Sequence, residues 1–442
     1  MSNEPSTPST PSTPSTPSTP GISTLRPDAP RTWRARFAYI GPGIVLAAAG
    51  IGAADMVTAL SGASAYGMGL LWAALVGVIV KFAITEAVGR LHLATGQTPM
   101  SSLRTVGRWL PWVFIVFLAI IGLVYGAALG SVAGLAASAM FPALPVTPMA
   151  IALSVLAGIM VIVGRYGLFE RLMVGFTILM FVGVIGTAVA VIGHMEDPGL
   201  LLSTLPPALP EGSIMTVLAL IGGIGGSAGI AAYGYWVREK GWRSSTWLPI
   251  MRADSAISFG MVFLFVCAMS ILGTGMLFGA GSSIAGADGL ATLANPIGDL
   301  LGSVPRVLFL VAFFFVVFSS IVGGYNGLSY LMADAIRVAR GIPDEHADRH
   351  MATTSPAFRA FVCYCVVASA VIVFTGRPVG LVMVYAIFGS LILPILAAAL
   401  LWLLNRRSVE PVYRNGIVSN IGLAGALALF GLLGIAQILE SF

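Results

Sequence analysis

The chain has 442 residues, 57% of them hydrophobic and only 9% charged, with a mean hydropathy of +0.94. No soluble fold of this length needs so little charge, so the composition excludes a soluble globular protein and gives a polytopic membrane protein with the lipid bilayer as its first partner. The net charge of +5 is spread over short loops and forms no basic stripe, which excludes a nucleic-acid partner and makes the basic residues topology signals.

The chain opens on a Ser/Thr/Pro repeat, Pro5 to Pro20, that cannot bury a core. Residues 1–36 are therefore expected to form a disordered cytoplasmic tail, and residues 37–442 the transmembrane domain. The tail lacks the short apolar region of a signal peptide, so the first membrane helix is expected to stay uncleaved.

Apolar runs of about 20 residues then give roughly eleven spans. They lie near residues 40–62, 70–90, 112–139, 147–163, 171–193, 212–236, 255–279, 306–334, 357–375, 379–404 and 417–438. Basic residues alternate between sides: Arg26, Arg31, Arg34 and Arg36 precede span one, and Arg90, Arg104 and Arg108 follow span two. Further groups follow spans four (Arg165, Arg171), six (Arg238, Lys240, Arg243, Arg252), eight (Arg337, Arg340, Arg349, Arg359) and ten (Arg406, Arg407, Arg414). The intervening loops are neutral or acidic, with Glu196, Asp197, Glu211, Asp288 and Asp299, and Arg377 alone breaks the pattern. The alternation predicts a cytoplasmic N-terminus and an external C-terminus.

Two spans are interrupted by glycine, the first over Gly41–Asp55 and the sixth over Ile221–Gly234. Backbone can leave the helix within a bilayer only where protein or a water-filled cavity satisfies its N–H and C=O groups, so paired breaks mark the substrate site of a secondary transporter. Breaks in spans one and six are what two inverted five-helix repeats plus one helix would produce. The repeats are expected over about 37–193 and 212–404, and the extra helix over about 417–438.

Ionisable groups inside spans are few, and each is costly without a partner. Asp55 lies just beyond the first break, where it can hold a cation, carry a proton or engage a substrate amine. It can equally cap the second half-helix, with Met56 as the first helical residue. Lys81, in span two, can be the counter-ion of Asp55, of Glu86, or of a carboxylate on the substrate. Glu86 can also lie close enough to the cytoplasm to be solvated. Gly223, Gly226, Ser227 and Ala228 at the second break expose a half-helix N-terminus that suits an anionic group, although Gly222 and Gly226 would also serve close helix packing. Gly52 and Ala53 complete the site at the first break. Ser227, Tyr233 and Asn326 can reach a central cavity or serve as interhelical glue.

No phosphate loop, zinc spacing or Ser-His-Asp constellation is present, so an enzyme is not expected, nor any cofactor beyond a coupling H+ or Na+. His92, His194, His346 and His350 fall in loops or at span ends. Cys267, Cys363 and Cys365 sit in apolar stretches and read as small buried hydrophobes.

The run Gly41-Pro-Gly, then Ala65-Tyr-Gly-Met-Gly-Leu-Leu-Trp72 and Arg90-Leu-His-Leu-Ala-Thr-Gly96, resembles the first two helices of the NRAMP family of divalent-metal transporters. Later matches follow in order: Tyr166-Gly-Leu-Phe-Glu-Arg171, Asp254, Asn295-Pro-Ile-Gly-Asp-Leu-Leu-Gly302, Ser319-Ser-Ile-Val-Gly-Gly324 and Leu393-Pro394. The resemblance implies an all-α LeuT-like fold from about Phe37 to the end of span ten. It also exposes departures. In place of the family's Asp-Pro-Gly-Asn metal motif stands Gly52-Ala53-Ala54-Asp55, and in place of its Met-Pro-His stands Gly226-Ser227-Ala228. Gly126 and Leu129 stand where the family's third helix is acidic and associated with proton passage.

With the soft ligands gone, selective binding of Mn2+ or Fe2+ loses its chemical basis, and Asp55 is the only side chain left to hold a metal. The expectation is an inner-membrane, cation- or proton-coupled transporter for a small carboxylate-bearing organic solute. Its rival is a divalent cation importer (Mg2+, Mn2+ or Fe2+) that uses Asp55 with backbone carbonyls. A non-transporting sensor is the third class, and the chain carries no soluble output domain for it.

Overall fold

The computed structural model describes residues 28–440 apart from 31, 33, 35, 37, 38, 279–285 and 376–377; the expected tail lies largely outside the described residues, as does Arg377. The first span is divided into α1 (Pro42–Gly50) and α2 (Ala53–Tyr66), and α3 (Leu71–Thr95) returns beside it. Then come α4 (Leu110–Met140), α5 (Val146–Val163) and α6 (Tyr166–His194). The sixth span is divided into α7 (Ile214–Gly223) and α8 (Ala228–Glu239). The chain continues through α9 (Leu248–Met276), α10 (Ser303–Ala339), α11 (Pro356–Ile372), α12 (Pro378–Leu404) and α13 (Ile417–Glu440). Short helices such as Pro99–Arg104 and Ala347–Met351 occupy connections.

Among the described residues, seven stretches are long and apolar enough to cross a membrane, one of them, Ala53–Thr95, taking in both α2 and α3. An eighth is added if Asp344–Met351 and Pro356–Ile372, bent by 43°, form one span. The first and sixth expected spans are the two that the structure splits.

The core is built around α10, which packs along α4 and α6 and is buried on nearly every face from Phe309 to Val338. A helix apolar all round belongs at the centre of a bundle. Helices of the core run beyond the apolar limits that hydropathy sets: α9 begins at Leu248, against an expected 255, and α3 runs to Thr95, against 90. The charged residues at these ends are paired. Glu86 bridges Arg90 (3.0 Å) and Arg252 (2.9 Å), and Arg90 also donates to the carbonyl of Tyr413. Arg337 joins Asp334 and Asp344, both at 2.8 Å, while Arg238 pairs with Asp348 and Lys240 with Glu170. All of these lie at the end expected to face the cytoplasm.

Asp254 belongs to this layer and fixes the entry of the broken first span. Its Oδ1 accepts from the Gly41 N–H (2.9 Å), and its Oδ2 accepts from the Gly43 N–H (2.7 Å) and the Tyr233 hydroxyl (2.8 Å). A carboxylate from α9 thus takes amides that α1 cannot satisfy within itself. The fit needs glycine, since a Cβ on Gly43 would stand 2.1 Å from the Asp254 carbonyl oxygen.

Hydrogen bonds to a buried charge contribute about 1.5–3 kcal/mol each. Asp254→Ala should therefore lower the thermal unfolding temperature in detergent markedly, and Asp254→Asn, which keeps one acceptor oxygen, should lower it less. Equal melting of wild type and Asp254→Ala would mean that α1 is held by packing alone.

Candidate functional site at the paired helix breaks

The two breaks have different local causes. In the first, Ile51 (φ −73°, ψ 112°) and Gly52 (φ −139°, ψ −170°) are extended, so the chain runs straight for two residues before α2 begins. In the second, Ile224 is extended, and Gly225 and Gly226 have φ of +78° and +49°. That left-handed pair is open to glycine and strained for any β-carbon residue.

The breaks lie against each other. A Cβ on Gly226 would sit 2.8 Å from the Cα of Gly50, and one on Gly50 would sit 2.9 Å from the carbonyl oxygen of Gly225. Backbone meets backbone because no side chain intervenes.

Six backbone groups at the breaks have side-chain partners. On the first break, Ser319 and Ser320 of α10 donate to the carbonyls of Ala48 (2.8 Å) and Ile51 (2.7 Å). Asp55 Oδ2 accepts from the Gly52 N–H at 2.8 Å, and its Oδ1 crosses to the second break and accepts from the Gly225 N–H at 2.6 Å. The Lys81 ammonium donates to the carbonyls of Gly222 (2.8 Å) and Ile224 (2.5 Å). One carboxylate and one ammonium thus serve an amide and two carbonyls of the same short stretch.

This arrangement sorts the expected residues. Asp55 does cap its half-helix, but α2 begins at Ala53, so Asp55 is its third residue and Met56 its fourth. The extended backbone ends at Gly52, and the carboxylate reaches back one turn as the acidic residue of a capping box does. Gly52 faces the Ser320 hydroxyl, and Gly223 faces Thr58 of α2. Ser227 is buried against Gly389 of α12. The side chain of Ala228 lies outside the described residues, and its backbone opens α8.

Glu86 is not the partner of Lys81, because Arg90 and Arg252 hold it at the arginine-rich end. Tyr233 and Asn326 are likewise turned away from the breaks. Tyr233 serves Asp254, and Asn326 Oδ1 accepts from the indole N–H of Trp236 at 2.9 Å.

A small central cavity lies beside the breaks, lined by Ala49, Gly226, Gly229, Gly323, Gly324, Gly327, Leu328 and the rings of Tyr125 and Tyr385. Its volume of about 10 Å³ has room for roughly one water, so the site is shut in this conformer. The two tyrosines meet edge to face, with ring centres 5.0 Å apart. Tyr125 also donates to the Ser320 carbonyl at 2.7 Å and lies directly over Gly324. Neither tyrosine stands out in the sequence, where an aromatic residue within an apolar helix looks like core. The signal that existed is the pair of glycines at 323 and 324, which leaves room for a ring.

Next to this cavity, Gly126 is packed by hydroxyls. A Cβ there would meet both Tyr325 Oη and Ser369 Oγ at 1.9 Å, and Tyr325 Oη is bonded to Ser154 (2.6 Å) and Ser369 (3.1 Å). Among the described residues, no three of His, Cys, Asp and Glu gather as a metal-ligand group.

The model of the Natural resistance-associated macrophage protein-like (Nramp) family matches residues 43–440. The chain belongs to the Nramp family. Nramp proteins are membrane transporters, not enzymes, and this member has their LeuT-like fold. A manganese transporter of Eremococcus coleocola has a similar structure at 15% identity, with a TM-score of 0.76 over 93% of this chain and 88% of that one. MhsT in complex with L-phenylalanine is similar at 13% identity, with a TM-score of 0.60 over 90% of this chain and 98% of its own. An uncharacterized protein of Pasteurella multocida is 21% identical over 333 residues, which is 70% of this chain and 73% of the relative. At such identities the structural likeness speaks for the fold alone, and the site of this Nramp member has to be read from its own residues.

Asp55 and Lys81 hold neighbouring peptide groups of the second break, and hydrogen bonds to charged groups contribute about 1.5–3 kcal/mol each. Asp55→Asn and Lys81→Met should each destabilise strongly, and the double variant should melt well above the temperature that adding the two losses gives. Strict additivity in that double-mutant cycle would separate the two charges.

Proposed function

We propose that the protein is a secondary transporter of the inner membrane that carries a small carboxylate-bearing organic solute by alternating access. The observation that supports this reading is how the charged groups at the breaks are spent. Both oxygens of Asp55 and two of the three donors of Lys81 are engaged by backbone of the breaks. What remains to face the cavity is glycine backbone, the N-terminal turn of α8 and two tyrosines. Helix N-terminal amides suit a carboxylate, and aromatic faces suit an apolar or cationic substituent on the same molecule.

Gly52, Ala53, Gly226, Ser227 and Ala228 would then contribute backbone to the substrate, with Tyr125 and Tyr385 closing over it. Asp55 and Lys81 would keep the two breaks in register, and Gly223 would set the approach of α7 to α2. A bound solute needs a few hundred cubic ångströms, so the helices around the cavity must separate to admit it. Such separation belongs to rocking about a fixed midplane site, with a proton or another cation as driver.

A divalent cation is the second reading, favoured by the manganese-transporting structural relative and by the position of Asp55. Its weakness lies in the ligands: one carboxylate whose oxygens are already shared, and an ammonium on two neighbouring carbonyls that repels a dication.

The test is uptake into proteoliposomes, with amino acids and other small carboxylates set against Mn2+ and Mg2+. Saturable uptake of at least one carboxylate is expected, lost in Gly324→Val, whose side chain collides with Tyr125. Metal uptake above that of empty liposomes and abolished by Asp55→Ala would sink the proposal in favour of the second reading.

A further inference from the structure

The sixth-span break places a positive charge where broken-helix transporters commonly place a mobile one. Carbonyls of an unwound half-helix C-terminus are a usual seat for a coupling ion. Here α7 ends at Gly223, and the left-handed turn at Gly225 and Gly226 carries the chain away before it can supply amides to the carbonyls of Gly222 and Ile224. Those two oxygens converge on Lys81 Nζ, at 2.8 and 2.5 Å. The aromatic ring of Phe430, on α13, lies 5.9 Å from the same nitrogen, and the lysine is wholly buried. On the other side of the stretch, the Asp55 carboxylate holds the Gly225 amide. The environment is that of a desolvated monovalent cation: two carbonyl oxygens, an aromatic face and a nearby carboxylate.

We propose that the Lys81 ammonium is a tethered substitute for a monovalent ion, filling the cation position of the sixth-span break so that no mobile ion binds there. The sequence uses lysine sparingly, which sharpens the point. Of 23 basic residues only Lys81 and Lys240 are lysines, and Lys240 is paired with Glu170 at the bundle end. A guanidinium presents a wide planar fork, whereas an ammonium is a compact point charge of the size that two converging carbonyls can enclose. The tethered ammonium cannot leave as a mobile ion does, so no metal cation is released from this break in the transport cycle, and any coupling sodium ion acts elsewhere. The inference holds whatever the solute is.

The experiment uses full-length protein in detergent and needs no substrate. Wild type and Lys81→Ala are melted in equal concentrations of lithium, sodium, potassium, ammonium and choline chloride. The vacated position should bind a small cation, and binding to the folded state raises its stability with concentration. The melting temperature of Lys81→Ala should therefore be lowest in choline and rise saturably with at least one of the small cations, whereas wild type should melt alike in all five. Lys81→Ser, whose hydroxyl can bond back to its own helix, is run in parallel in case the alanine variant gives no folded protein. Curves for the folded variant that coincide in every salt, or a wild type that responds as strongly as the variant, would overturn the proposal. So would failure of both variants to fold even with ammonium present throughout purification.

Discussion

Backbone that leaves the helix inside a bilayer must find partners in the protein, and here a carboxylate and an ammonium supply them. Asp55 takes an amide from each break and Lys81 takes two carbonyls from the second. Much of the centre follows from that demand. The helices must bring both charges to one place, so α2 packs against α7, and α3 against both α7 and α8. The breaks must touch for one carboxylate to reach both, so Gly50 faces Gly225 and Gly226. The first break then keeps two carbonyls in need of donors, and the adjacent serines of α10 meet them.

The same demand gives Asp55 and Lys81 a role in the fold that needs no metal ion. In this chain the groups that hold the breaks open are also those that hold them together, and neither is a soft ligand. Near the cavity, Gly126 is packed against a buried trio of hydroxyls, Ser154, Tyr325 and Ser369. Asp55 and Lys81 bring charge to the breaks, while the buried Asp254, Asp334, Arg337 and Arg90 belong to the arginine-rich end. That composition supports the proposal of a solute recognised by backbone and aromatic faces.

The sequence discloses the breaks because glycine is the residue that left-handed backbone and close approach require, and Gly225, Gly226 and Gly50 meet those requirements. It discloses the helices because apolar length is local, and the arginine-rich end because its charges recur on alternate loops. Partners distant in sequence are not legible in the same way. That Glu86 belongs to Arg252 rather than Lys81 depends on how α9 lies against α3, 166 residues away. The helical start of α9 and the burial of Asp254 were hidden for the same reason, since charge in an apolar boundary reads as loop until its partners are known. Asp55 is legible as a residue, but its place on the helix is off by three positions, because Gly52 and Ala53 give no side chain from which a cap could be read. Tyr125 and Tyr385 look like core until the glycines opposite them are seen.

The half-helix α1 is gripped at both ends by different neighbours, α9 through Asp254 and α10 through Ser319 and Ser320. Nine residues of helix form a strut about 14 Å long. It joins the arginine-rich end of the bundle to the midplane break. A short helix is stiff along its axis, so displacement at one grip is delivered to the other rather than absorbed between them. Loosening Asp254 therefore bears mechanically on Gly50, and through Gly50 on the glycines of the second break.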